Sequence, residues 1–310
     1  MTGLGEQIAI GPAVAAGAGR VETPFRRFLS DFCESPLAVA AFFVFAAIFV
    51  VAVFAPLISP TNPYDLKQLS IFENRQPPGS LSMKGMTFWL GTDGLGRDML
   101  SAIFYGLRIS LFVGVMSGLI ALVIGMTVGL TSAYFGGRVD NVIMRIVDLQ
   151  LSFPTILIAL ILLAILGRGI DKTIIALIVV QWAYYARTVR GSALVERQRE
   201  YIEAAECLVL GHRRIVFRHL LPNCMPPMIV IGTVQVAHAI SLEATLSFLG
   251  LGLPPTEPSL GLLISNGFDY LLSGRYWISF YPGIALLITI GSINLVGDKL
   301  RDVLNPRMQR

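Results

Sequence analysis

From Leu37 to Ala55 the chain reads LAVAAFFVFAAIFVVAVFA, nineteen residues without a charge and almost without a polar atom. A hydrocarbon layer about 30 Å thick is crossed by roughly 20 helical residues, so this run has the length and chemistry of a transmembrane helix. Backbone groups left unpaired in lipid are too costly, so only helices and closed barrels cross it. The chain has no alternating ten-residue pattern of the kind a barrel needs. The fold class is therefore an all-α integral membrane protein. Five more spans are predicted at residues 109–131, 149–166, 174–189, 226–249 and 280–296. The fourth and fifth are diluted by polar residues, as helices facing a passage would be. Gly114, Gly118, Gly125 and Gly129 form a stripe on the second span that suits close helix packing.

Composition agrees with the spans. Hydrophobic residues make up 54% and charged residues 14%, whereas soluble domains carry about 25% charged residues. The net charge of +4 sits in clusters beside the spans, which indicates membrane orientation and not nucleic-acid binding. Six spans put both termini on one side. That side collects sixteen of the 24 lysines and arginines, from Arg20 to Arg310, and so is read as cytoplasmic. The first span exceeds the 7–15 residues of a secretory leader core, and Pro56 follows the candidate cleavage site at Ala55, so it is expected to stay uncleaved. Residues 1–30 read as a mobile cytoplasmic tail, 31–56 as the first transmembrane helix, 57–108 as an extracytoplasmic loop and 299–310 as a cytoplasmic tail. Cys33, Cys207 and Cys224 lack metal or disulfide spacing and read as free thiols.

One polar stretch, residues 187–223, interrupts the hydrophobic pattern. A helix is expected from about Arg199 to Leu210, with Gly211 as its left-handed cap. Ile202, Ala205 and Val209 would share a face. Ala204 and Ala205 would let a partner approach the backbone closely. Glu203, in the first turns, is favoured by the helix dipole and can accept from a partner's arginine. By spacing alone, an interfacial amphipathic helix with solvated charges fits equally well.

Glu203-Ala204-Ala205 within this loop resembles the EAA loop of ATP-binding-cassette importer permeases. Other segments resemble the dipeptide and oligopeptide permeases, in order along residues 30–308. They include Leu90-Gly91-Thr92-Asp93-Gly94-Leu95-Gly96-Arg97-Asp98, Tyr134-Phe135-Gly136-Gly137 and Arg187-Thr188-Val189-Arg190-Gly191. So do Leu246-Ser247-Phe248-Leu249-Gly250-Leu251-Gly252 and the ending from Gly297-Asp298-Lys299-Leu300-Arg301 to Asn305-Pro306-Arg307, which is similar to the C-type subunit. Two places depart from the family: Val209 stands where glycine is usual, and Ala102 where arginine is common.

The resemblance implies a type I ABC importer permease fold, with a core at 109–298 and a peripheral first helix. It implies that Glu203, Ala204, Ala205, Leu208, Val209 and Gly211 couple to an ATPase. It further implies four kinds of partner: a homologous B-type permease, two ABC ATPase subunits or domains, an extracytoplasmic solute-binding protein, and the lipid of the bacterial cytoplasmic membrane. ATP and Mg would sit on the ATPases. This chain has no GxxxxGK[ST] motif and no dinucleotide fingerprint, so no cofactor is expected on it. No grouping of nucleophile, histidine and acid points to an enzyme, and His212, His219 and His238 are too scattered for a metal site.

Intramembrane polar residues are costly and usually face protein or a cavity. Gln181 and Trp182 on span four and Gln235, His238 and Glu243 on span five are therefore the pathway candidates, with structural hydrogen bonding as their alternative. Arg145 and Asp148 are expected to pair. Peptides are the implied substrates, with nickel complexes, glutathione or another small solute as alternatives. A stand-alone ion-coupled carrier is the more distant rival; it would need an internal repeat with broken helices, which the sequence does not display.

Overall fold

The computed structural model describes residues 24–65 and 71–304. Most of the two expected tails, including Arg20, Arg307 and Arg310, and also Lys67, lie outside the described residues. The described residues are mostly helical, with a two-stranded antiparallel hairpin, β1 (Ser80–Leu81) with β2 (Thr87–Phe88), inside the irregular segment ahead of Met99. An amphipathic α1 (Pro24–Cys33) leads into α2 (Pro36–Val53), whose first turn is capped by the Ser35 hydroxyl accepting from the Ala38 amide. A short α3 (Ala55–Ile58) follows. α2 packs on the outside of the later helices and buries little of its own surface, as a peripheral span would.

α4 (Met99–Phe135) starts ten residues before the expected second span. The reason is local. Asp98 caps it by accepting from the Ser101 amide at 2.9 Å and the Ser101 hydroxyl at 2.6 Å. At its far end Gly136 and Gly137 take successive positive φ values of 62° and 54°, which L residues with side chains resist. That is the use of the Tyr134-Phe135-Gly136-Gly137 segment, which turns the chain sharply into α5 (Gly137–Ser152).

The expected third span is not one straight helix. Proline disfavours helical geometry in the residue before it, and Phe153 is extended ahead of Pro154. The chain bends by 88° there, between α5 and α6 (Thr155–Leu166). Leu149 to Ser152 thus belong to α5. The remaining twelve residues of α6 rise only about 18 Å, short of a bilayer core. α7 (Ile170–Arg197) contains the expected fourth span. Among the described residues, four helices are long and apolar enough to cross a membrane, or five if the bent α5–α6 pair counts as one. Of the six expected spans, the fourth, on α7, is the one left out of this count: it has ample length but falls short in hydropathy. Its window holds Gln181, Trp182, Tyr184 and Arg187.

After α7 come α8 (Glu200–Cys207) and a continuous rod made of α9 (His212–Arg214), a π-helical stretch at Ile215–Leu220 and α10 (Leu221–Phe248). α11 (Leu260–Phe268), unforeseen in the sequence, precedes the last span α12 (Trp277–Leu304). Its backbone lies tight on α10: a Cβ on Gly261 would come within 2.2 Å of the Ala244 carbonyl oxygen.

The α4–α7 pair is the most extensive packing in the chain, and the glycine stripe explains it. A Cβ on Gly125 would meet Tyr185 Cβ at 2.4 Å, and one on Gly129 would meet the Ala186 carbonyl oxygen at 2.5 Å. Gly114 and Gly118 turn the same stripe toward Ile240 and Val236 of α10. α4, α7 and α10 therefore form a tight three-helix centre.

The glycine-rich segment ahead of α4 is a structural clamp. Asp93 accepts from the amides of Leu95 and Arg97 and holds the Arg97 Nε at 2.6 Å, with both side chains buried. Arg97 Nη1 reaches the Pro255 carbonyl at 3.4 Å, and Trp277 Nε1 donates to the Thr92 carbonyl at 3.2 Å. This turn thereby joins the start of α4 to the segment before α11 and to the first residue of α12. Ala102, the second departure from the family pattern, is fully buried in the same cluster.

Candidate functional site: the α8 loop and the exposed stripe of α10

α8 sits across the ends of α4, α7 and α10. Ile202 and Ala205 insert into a cluster with Leu130, Val189, Ile215 and Met228. Arg197 anchors the same corner: its guanidinium donates to the Ala133 carbonyl at 3.0 Å and lies 5.7 Å from the Tyr134 ring centre. Tyr201 donates to Glu196 at 2.8 Å. Partial burial, reinforced by that bond, pushes the Tyr201 hydroxyl up to about 12, so it remains a donor at neutral pH.

The two alanines are not equivalent. Ala205 is 4% exposed and faces its own subunit, whereas Glu203, Ala204 and Cys207 face outward. The surface open to a partner is continued by Leu208 at 74% and Val209 at 88% exposure.

The end of this helix differs from expectation. It stops at Cys207, and the left-handed residue is Val209, with φ 54°. Gly211 is extended, with φ −61° and ψ 142°, and serves as N-cap of α9. The Val209 and Leu210 amides donate to the Glu206 and Ala205 carbonyls, so the backbone is that of a left-handed helix terminus. A β-branched side chain is poorly suited to that conformation. Leaving the helix there also takes Val209 off the face of Ile202 and Ala205. The glycine usual at this place in the resembled family meets the same backbone requirement without strain.

Two carboxylates tie α5 to α7. Asp140 takes a bidentate pair from Arg190, at 2.5 and 2.6 Å, and also accepts from the Ser132 hydroxyl. Asp148 pairs with Arg187, not with Arg145 as expected. The partner lies across the helix interface because the break at Pro154 lays α5 alongside α7.

The pathway candidates separate. Glu243 is fully buried and accepts from Ser110 at 2.8 Å and Ser247 at 2.7 Å, linking α10 to α4. Gln235 and Gln181 are buried as well, and neither amide atom of Gln181 has a partner among the described residues. Trp182 is half-buried on the α5 side of α7. His238 alone of the five is exposed. With Val234 and Ser241 exposed and Thr245 half-buried, it forms one stripe along α10 at i, i+4, i+7 and i+11. Ser241 and Thr245 were missed in the sequence because hydroxyl residues are common in membrane helices, where they bond their own backbone. Thr245 does so, to the Ser241 carbonyl at 2.8 Å.

The sequence matches the family described as "Binding-protein-dependent transport system inner membrane component" over residues 121–310. Residues 23–78 match "N-terminal TM domain of oligopeptide transport permease C". The dipeptide transport system permease protein DppC of Bacillus subtilis (strain 168) is 38% identical over 89% of this chain and 84% of its own. The di/tripeptide permease protein DppC of Pseudomonas aeruginosa (strain UCBPP-PA14) is 35% identical over 93% of each chain. The glutathione permease protein GsiD of Pectobacterium atrosepticum is also 35% identical, over 93% of each. In fold, the chain is similar to an inward-facing structure of the MetNI methionine ABC transporter, with a TM-score of 0.55 at 22% identity, covering 67% of this chain and 98% of that one. The chain is a multi-pass membrane protein that belongs to the family of binding-protein-dependent transport system inner membrane components, among the C-type permeases of peptide ABC importers.

Proposed function

We propose that this chain forms half of a transmembrane pathway for di- or oligopeptides and is driven through α8 by ATPases on other polypeptides. The observation that carries the coupling role is the division of α8. Ile202 and Ala205 root it across the ends of three core helices, while Glu203, Ala204, Cys207, Leu208 and Val209 stay uncovered. An apolar, small-residue surface beside a carboxylate suits a groove on a protein partner. Movement pressed on α8 passes to α7 and to the π-helical start of the α9–α10 rod, its main neighbours.

In this reading the loop and both termini are cytoplasmic, following the lysine and arginine distribution. A homologous B-type permease supplies the other half of the passage, and an extracytoplasmic binding protein delivers substrate. Two ATPases hold ATP and Mg. ATP-driven closure of the ATPases favours one of two permease states, and alternating access follows from that difference in affinity.

The exposed stripe of His238, Ser241 and Thr245 lines the passage, since polar groups facing lipid there would be costly. Glu243 instead ties α10 to α4 within the subunit, and Gln181 and Gln235 are buried inside it. Peptide is the substrate class because the relatives from Bacillus and Pseudomonas are named for dipeptides and di/tripeptides. Glutathione, itself a tripeptide, is the second reading, favoured by the similarity to the GsiD protein.

The test is uptake into liposomes that hold the complete complex, with the binding protein outside and ATP inside. ATP-dependent accumulation of a labelled dipeptide is expected. Accumulation of glutathione alone would select the second reading, and uptake driven by an ion gradient without ATP would refute both.

A further inference from the structure

The corner beside α8 carries a groove of about 150 Å³ between the last turns of α4 and the π-helical start of the α9–α10 rod. Its walls are apolar: Met126, Leu130 and Phe135 on one side, and Val216, Phe217 and Leu221 on the other. From Met126 to Phe135 it follows α4 for roughly 13 Å at 1.5 Å per residue, close to the depth of one leaflet's hydrocarbon. Phe135 and Phe217 are each exposed by about 60% at its mouth. Tyr134 and His212 are already joined there, hydroxyl to Nδ1 at 2.6 Å, so neither needs a ligand to complete it.

At the outer end the groove meets mainly positive charge, with the Glu206 carboxylate near enough to act on Tyr134 in its wall. Arg213 lines it, and Arg214 and Arg218 are exposed on the same rod within five residues of it. None of these three takes part in an ion pair among the described residues, whereas Asp140 and Asp148 each hold an arginine of α7. An apolar slot one leaflet deep, topped by three unpaired guanidinium groups, has the chemistry of a site for one anionic phospholipid. We infer that this groove binds such a lipid from the leaflet on the α8 side, its acyl chain along α4 and its phosphate against Arg213 and its neighbours. Arginines at such a membrane surface contribute about 1 kcal/mol each to anionic-lipid attraction, which is about fivefold in affinity. The same walls contain the π-helical residues Val216 and Phe217, so a seated lipid would brace the segment through which α8 joins α10.

The inference is independent of which substrate crosses. It is tested on the complete complex, purified and titrated with phosphatidylglycerol or phosphatidylethanolamine while bound lipid is counted by native mass spectrometry. Preferential retention of at least one phosphatidylglycerol is expected, with Arg213→Gln and Arg214→Gln together weakening it about 25-fold. Equal retention by the double variant and the parent would overturn the site. Loss of the ATPase subunits from that variant with lipid retention unchanged would also overturn it, showing that the arginines dock protein.

A second measurement avoids any folding defect in that variant. Tryptophan placed by Phe217→Trp, read as the difference from the parent, should be quenched more by tail-brominated phosphatidylglycerol than by equally brominated phosphatidylethanolamine. Equal quenching by the two lipids would refute the inference.

Discussion

Val209 shows how one side chain can be at odds with its backbone. Holding a non-glycine residue in the left-handed region costs about 1–2 kcal/mol, and part of that is returned because valine restricts the unfolded chain more than glycine does. Val209→Gly should therefore raise stability by up to about 1 kcal/mol, visible as a higher melting temperature of the purified subunit in detergent. A lower one would mean that the exposed valine makes a contact the subunit needs. Ala204 and Ala205 give a sharper contrast. Ala205→Arg forces an unpaired charge into the Ile202 cluster, at a cost of several kcal/mol, so the isolated chain should lose stability before any partner is involved. Ala204→Arg should leave the isolated chain as stable as the parent and abolish ATP-driven uptake in the complex. Equal stability loss in both variants would contradict the assignment of faces.

Among elements, the closest fit is the α4–α7 pair. Gly125→Leu must displace Tyr185 Cβ and the Trp182 carbonyl oxygen, 2.4 and 2.6 Å from the added Cβ, and overpacking of this kind costs about 1–3 kcal/mol. Limited proteolysis should show a loosened subunit. Gly232→Ala, where nothing lies within 4 Å, should be neutral or stabilising. The stripe containing Gly125 was legible in the sequence, because helical spacing of glycines in an apolar run has one main use. The clamp at Asp93 and Arg97 was legible only as a turn, since its partners Pro255 and Trp277 lie more than 150 residues away. The α5–α6 break was underread: Pro154 announces a boundary, but hydropathy averages across it. α11 escaped because nine residues with weak periodicity look like a loop end. On α8, the shared face of Ile202 and Ala205 followed from spacing, but not that it turns inward: Ala205 was expected to meet a partner and is buried in its own subunit. The helix terminus did not, because Gly211 is the residue type suited to a left-handed position while the chain assigns that position to Val209.

In the whole molecule, the polar interior of the α10 region divides into bonds that hold the subunit together and a stripe left open. Glu243 belongs to the first group through Ser110 and Ser247. His238→Ala should change the KM or rate of peptide uptake while leaving assembly and basal ATP hydrolysis intact; unchanged uptake kinetics would remove His238 from the passage. Coupling is the central claim, and the chain contains a reporter for it. Cys207 is an exposed thiol on the outward side of α8, Cys33 is exposed far from it in sequence on α1, and Cys224 is buried. Labelling with a bulky maleimide, read thiol by thiol by peptide mass spectrometry, compares the isolated chain with the complex assembled with its ATPases. Cys207 should react readily in the isolated chain and be protected at least tenfold on assembly, while Cys33 labels in the isolated chain as a control and Cys224 resists in both. Undiminished labelling of Cys207 in an assembled, ATP-hydrolysing complex would contradict the docking of α8 on the ATPases.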